Sequence, residues 1–289
     1  MNYRSLLLVC LATLGLAVTG WGQAGDKIAF VSDREGTPDI WTMNADGSDP
    51  VNLTKGRGDC ATPAWSPDGM TIAYIDNGEI WLMNADGSNP QQVTDDSVYK
   101  AWVWWSEDGS EFYYVGLPTG DSNRFENFIV GIDGKDPVSV DRQTLRSRPS
   151  LYRTPYRTPL SPDGAKEAVV VLDKVAQNGL AIRDSNEEEH AFIPLAGVLE
   201  LHIDERVARI WHIYPTWSPD SMRIAFAARS SSVGPLEIWA IDIDGSNAIN
   251  LTNGLSGHSP AWRPASPAAT SVEVQSWGRI KSQLSTGIH

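Results

Sequence analysis

His212 and His258 could together hold a metal ion, since neutral imidazole is the commonest side-chain metal ligand. A catalytic metal normally takes about three protein ligands and keeps one position open. No third ligand stands at a matching spacing, so no metal and no cofactor is expected. Cys60 would act as a nucleophile only with a His or a cation lowering its pKa. It reads instead as a small, partly buried filler. Residues 141–157 carry Arg142, Arg146, Arg148, Arg153 and Arg157 against a single acid, Asp141. They also duplicate Tyr152-Arg153-Thr154-Pro155 as Tyr156-Arg157-Thr158-Pro159. Guanidinium forks bind carboxylates bidentately, and Tyr adds rigid amphipathic area. The alternative use of this run is a solvated loop that balances the acidic residues 187–189.

Other chemistries lack their motifs. The sequence has no Gly-x-Ser-x-Gly elbow, no His-Glu-x-x-His pair and no phosphate-binding Gly-x-x-x-x-Gly-Lys-Ser/Thr loop. Residues 56–61 imitate a dinucleotide fingerprint, but no helix follows to present its N-terminus to phosphate. They read as a connecting loop. Asp242-Ile243-Asp244-Gly245 suggests calcium, yet an EF-hand loop needs more oxygen ligands and a distal Glu, so a hairpin turn is expected. Asn52-Leu53-Thr54 and Asn250-Leu251-Thr252 match the glycosylation sequon. They recur because the strand that contains them recurs.

The elements that must position these residues are repeats. Ala64-Trp65-Ser66-Pro67-Asp68-Gly69 returns around Trp105, Leu160, Trp217 and Trp262, at intervals from Trp65 of 40, 55, 57 and 45 residues. β-rich runs follow at 71–75, 111–115, 168–172 and 224–228, and a matching run, 27–31, lies near the start. A second motif, Asp39-Ile40-Trp41-Thr42-Met43-Asn44-Ala45-Asp46-Gly47-Ser48, returns at 79–88, 128–134 and 238–246. Short closing runs come at 51–54, 92–94 and 250–252. Asp-Gly between alternating runs is a strong hairpin signal, and Ser-Pro-Asp-Gly is turn chemistry. Four strands per 40–57 residues is the period of a β-propeller blade. The fold expected is all-β, a propeller of four-stranded blades with five countable units. The motif Trp should pack between neighbouring blades. The strand order places residues 259–263 beside 27–31, closing the ring between the chain ends.

This repeat resembles the WD40-like repeat of the TolB C-terminal propeller, over residues 27 to about 264, with the first two units matching closely. The resemblance implies six blades as the alternative to five. TolB proteins also carry an N-terminal α/β domain, so the expectation is a stand-alone TolB-like propeller. It further implies a non-enzymatic binding module that meets a protein partner of the cell envelope at the channel mouth. Oligogalacturonate lyases resemble the propeller too and use His-rich metal sites. That gives the alternative reading, a carbohydrate-active enzyme. Prolyl-oligopeptidase relatives carry similar propellers, but their hydrolase domain has no counterpart here.

The side chains just before each motif Trp should ring one mouth of the channel. Three residues before it stand Thr62, Trp102, Arg157, Tyr214 and Ser259; one step earlier are Tyr156 and His258, and two steps earlier Lys100 and His212. A purely structural position would repeat, and this one does not. Trp, Tyr and Arg are also favoured at binding hot spots. The binding set expected is Trp102, Lys100, Tyr156, Arg157, Tyr214, His212 and His258. A protein is the partner expected, and a glycan is the second ligand class.

Net charge of −13 argues against nucleic acid, whose phosphates need a basic field. Arg4, the uncharged run 6–18, and the small residues Gly22 and Ala24 form the layout of a secretory signal peptide. The run is too short to span a bilayer, which takes about 20 apolar residues. The organisation expected is a signal peptide at 1–24, a propeller at 25–264, and a linker with a short C-terminal helix at 265–289. Trp277, Ile280 and Leu284 supply the helical spacing. The mature protein should be a periplasmic or secreted monomer, with no spanning segment. N-terminal sequencing of exported protein should begin at Gly25, and a chain still beginning at Met1 contradicts the signal assignment.

Overall fold

The computed structural model describes residues 26–118, 124–141, 160–171, 179–184, 189–194, 215–230 and 234–265. The expected signal peptide, the Arg-rich run beyond Asp141 and the C-terminal helix lie outside these residues. Sheet I contains β1 (Lys27–Ser32), β2 (Asp39–Asn44) and β3 (Val51–Asn52). Sheet II contains β4 (Cys60–Trp65), β5 (Thr71–Asp76), β6 (Glu79–Asn84) and β7 (Gln91–Gln92). Sheet III contains β8 (Val98–Trp105), β9 (Glu111–Pro118), β10 (Glu126–Gly131) and β11 (Val138–Val140). Sheet IV contains β12 (Lys166–Val171), β13 (Gly179–Asp184) and β14 (Glu189–Pro194), and sheet V contains β15 (Thr216–Trp217), β16 (Arg223–Ala228), β17 (Glu237–Asp242) and β18 (Ile249–Asn250). The last strand, β19 (His258–Trp262), returns to pair antiparallel with β1, setting Ile28 opposite Trp262. Sheet I therefore takes its inner strand from the far end of the chain, as the repeat order requires. Five antiparallel sheets are present among the described residues.

The runs form strands because both faces of each sheet are buried. The second strands read Ile-Ala-Phe-Val and Ile-Ala-Tyr-Ile, with side chains that suit a pleated, enclosed surface. Four apolar seams join the sheets: IV to V, V to I, I to II and II to III. Trp217, Trp262, Trp65 and Trp105 each fill one of these seams. Two of them add a hydrogen bond across it. Trp65 Nε1 donates to the carbonyl of Ala261 at 3.1 Å, and Trp105 Nε1 donates to that of Ala64 at 3.1 Å. The donor thus reaches the residue just before the motif Trp of the neighbouring sheet.

The outer end of each seam is set by the Asp-Gly turns. Gly47 has φ +86 and a Cβ there would stand 2.7 Å from the Leu251 carbonyl oxygen. At Gly134, φ +73, a Cβ would stand 2.0 Å from that of Val93. Glycine is required on both counts, the positive φ and the close backbone approach. The turn carboxylates add local hydrogen bonds: Asp46 accepts from Ser48, and Asp68 from Ser66 Oγ at 2.6 Å and the Met70 amide at 2.9 Å. The segment 242–245 is such a turn, its Gly245 amide donating to the Asp242 carbonyl at 2.9 Å.

The closing strands are two residues long where the sequence suggests three or four. In sheet I, Asn52 Oδ1 accepts from the amides of Thr54 and Lys55, turning the chain out of the ladder. Asn250 does the same for Thr252 and Asn253. The sequon-like triplets are therefore strand-ending devices. In the fourth unit the expected run 168–172 is observed as β12, beginning two residues earlier.

Trp65→Phe keeps most of the packing and removes the indole donor, so it should cost about 1 kcal/mol. Trp65→Ala empties the seam and should cost about 3–5 kcal/mol. Denaturant unfolding checks both, and equal losses would show that the seam does not depend on ring volume.

Candidate functional site

The inner strands β4, β8 and β19 begin on one face of the sheets, and the Ser-Pro-Asp-Gly and Asp-Gly turns occupy the opposite face. Each of these three strands carries a register shift close to its start: between Ala61 and Ala64, between Lys100 and Trp102, and opposite Ala29 and Val31 for β19. Thr62 and Ser259 sit in the shifted segments with φ +45 and +50. Left-handed backbone is uncommon for any non-glycine residue and most strained for the β-branched Thr62, and a proline follows both residues. Proline lacks a ladder donor and is tolerated at such bulges. A bulge re-aims side chains, and strained backbone clusters at ligand clamps and active sites. For β4 and β19 the signal was present in the sequence as Thr62-Pro63-Ala64-Trp65 and Ser259-Pro260-Ala261-Trp262.

Of the expected set, the structure describes Lys100, Trp102 and His258; Tyr156, Arg157, His212 and Tyr214 lie outside the described residues. Trp102 is partly exposed on β8 and meets the exposed Phe125 edge-on, ring centroids 5.8 Å apart. Tyr99, also exposed, belongs to the same end of β8. His258 is partly exposed on β19, its Nδ1 3.1 Å from Ser259 Oγ. Sheet II separates it from Trp102 in the order I, II, III.

Lys100 differs from its expected place. It is 0% exposed, its ammonium 2.8 Å from Glu79 Oε2 and in contact with Asp96, and it lies 5.9 Å from the Tyr114 ring centre. Glu79 belongs to sheet II and Lys100 to sheet III, so the pair staples the II–III seam. The equivalent position in sheet II is Cys60, 1% exposed, whose thiol burial pushes up to about 12. Neutral pH leaves it protonated, consistent with a packing role.

A second set, unnoticed in the sequence, underlies this face. Asp39, Glu79 and Glu237 open the third strands of their sheets, each followed fifteen residues later by a threonine. Thr54 Oγ1 donates to Asp39 at 2.6 Å and accepts from the Ile40 amide at 3.0 Å. Thr94 repeats this with Glu79 and Ile80, at 2.6 and 2.9 Å. In sheet V, Thr252 accepts from Ile238 at 3.1 Å, while Glu237 takes donors from Ser230, Asn250 and the Gly254 amide. Burial alone would raise the Glu237 pKa; these hydrogen bonds outweigh it and hold the carboxyl below its ordinary value. The recurring Asp/Glu-Ile-Trp with its distant Thr was the readable signal. Beside this network Arg57 lies 4.2 Å over the Trp81 ring and donates to Asp76 at 3.1 Å, a further cross-strand tie.

Asp39, Glu79 and Glu237 on this face already accept hydrogen bonds, and among the described residues no three His, Cys, Asp or Glu side chains gather as a metal would need. What the face offers is a rigid floor carrying re-aimed aromatic, hydroxyl and imidazole groups.

Comparison with known proteins matches residues 35–119 to a family described as the dipeptidyl peptidase IV (DPP IV) N-terminal region. A protein TolB homolog from Chlorobaculum tepidum is 44% identical over 52 residues, and the Tol-Pal system protein TolB of Zymomonas mobilis is 36% identical over 53. Each match spans 18% of this chain and 12% of the relative. The crystal structure of TolB from Acinetobacter baumannii superposes with a TM-score of 0.64 at 19% identity, covering 85% of this chain and 69% of that one. The fold is a β-propeller similar to that of TolB.

Removing both acids, Glu79→Gln with Asp96→Asn, strands a buried ammonium and should cost about 3–5 kcal/mol. Lys100→Met keeps the volume, leaves two partly exposed carboxylates and should cost less. Chemical denaturation of the variants measures the order; the reverse order would show that the ion pair does not hold the seam.

Proposed function

We propose that this chain is an exported, non-enzymatic binding propeller that engages an envelope protein partner at the face where its inner strands begin. The observation that carries the reading is the repeated bulge. Three neighbouring inner strands spend ladder pairing at the same place, and two hold non-glycine residues in left-handed backbone there. Packing alone does not require that. The bulged segments present Trp102 and Ser259, and the same alignment assigns Arg157 and Tyr214 to this rim. Trp102 with Phe125 supplies an exposed aromatic surface of the kind that anchors interfaces. Tyr156, His212 and His258 complete the rim, while Lys100 acts beneath it by fixing β8. The local identity to a Tol-Pal system protein supports a periplasmic envelope setting and a protein as partner. A surface glycan is the other ligand class that an aromatic rim suits.

A protein recovered from envelope extracts by the wild-type propeller, then purified, serves as the ligand. The triple variant Trp102→Ala, Arg157→Ala, Tyr214→Ala should weaken its binding at least thirtyfold, as hot-spot truncations of about 2 kcal/mol imply. Undiminished binding by a folded triple variant refutes the assignment. Dependence on Arg157 should fall with added salt, because exposed charges are screened.

A further inference from the structure

The opposite face carries an unassigned surface. The turns between first and second strands place Asp68, Asp108 and Asp220 there, each carboxylate held by a serine hydroxyl two residues back. Beside the first and last of these, Met70 and Met222 are 58% and 55% exposed, large apolar side chains at equivalent turn positions of sheets II and V. Sheet I packs between those two sheets. The chain leaves the described structure at this place. Arg263 Nε donates to the Gly69 carbonyl at 2.8 Å, and the Pro264 carbonyl comes within 3.4 Å of where a Gly69 Cβ would stand. Ala265, the last described residue, is therefore delivered beside Met70.

We infer that the C-terminal segment 266–289 docks on this face of its own propeller, its apolar stripe against Met70 and Met222 and its cations toward the turn carboxylates. The segment holds Trp277, Ile280 and Leu284 at spacings of one helical face, and its charges are Arg279 and Lys281 against Glu273. In a chain of net charge −13 this is a locally basic, apolar tail that ends on an acidic face. Complementary charge sets orientation, and the methionines supply the adaptable apolar contact. Trp277 stands twelve positions after Ala265, and an extended chain spans about 3.3 Å per residue, so the linker can carry it across the turns of neighbouring sheets. This assignment concerns the face opposite the proposed partner surface and stands apart from that reading.

Hydrogen exchange on the full chain tests it, because docked amides exchange slowly and free tails do not. Amides of 272–284 should be protected at least tenfold over the same peptide alone, at every protein concentration. Protection should vanish in the folded Met70→Asp, Met222→Asp double variant. In a chain ending at Ala265, which keeps β19, the turns around Met70 and Met222 should exchange faster. Tail exchange at the free-peptide rate overturns the inference. So does protection that survives the double variant, which would place the tail elsewhere, or protection that rises with concentration, which would make the occupant a second copy.

Discussion

At two of the four seams, I to II and II to III, the indole nitrogen of the motif tryptophan sets how closely the sheets approach. A sheet buried on both faces needs a neighbour on each side, and apolar contact alone fixes neither the angle nor the depth of approach. The bond from Trp65 to Ala261, and its copy from Trp105 to Ala64, fixes the inner edges to within one carbonyl. At the outer edge the glycine of each Asp-Gly turn lies against the closing strand of the neighbouring sheet, as Gly47 does on Leu251 and Gly134 on Val93. Each seam is thus gauged twice, by a large ring inside and by the lack of a side chain outside. The wedge that results is what brings the starts of the inner strands together.

The carboxylate–threonine pairs solve a different problem on the same face. The third strand of a sheet begins with a backbone amide that the two-residue closing strand cannot reach, and the threonine hydroxyl receives it. The acid then accepts the proton that the hydroxyl must donate in sheets I and II. A buried polar group costs less once it is hydrogen-bonded. With the acids occupied in this way, Lys100 answers the charge of Glu79 and Asp96, and Arg57 that of Asp76. Electrostatics here serve position.

Much of the architecture was legible in one sequence because the repeat writes its turns in Gly, Pro and Asp and its seams in Trp. Sheet IV was harder to read. Leu160 replaces the tryptophan there, and β13 and β14 lack the Trp-Met-Asn run that marks their counterparts. At Lys100 the expected exposure on the rim gives way to burial. Strand-entry position does not say whether a side chain meets solvent or a seam, and beside the bulge Lys100 turns into the II–III seam to meet Glu79. The acids Asp39, Glu79 and Glu237 went unnoticed because their partners stand fifteen residues away, beyond any local pattern.

The pairing of β1 with β19 also decides how the molecule responds to force. The first residues of β1 lie against the last of β19, Ile28 opposite Trp262, with the Arg263 amide on the Lys27 carbonyl at 2.8 Å. Tension applied between Asp26 and Ala265 therefore loads this ladder from one end. Its hydrogen bonds would break in succession, as a zip opens, instead of sharing the load as strands pulled in shear do. Sheet I is the place where a stretched molecule yields, and it yields at low force. Tension carried between either attachment point and a ligand on the opposite face runs along the strands instead.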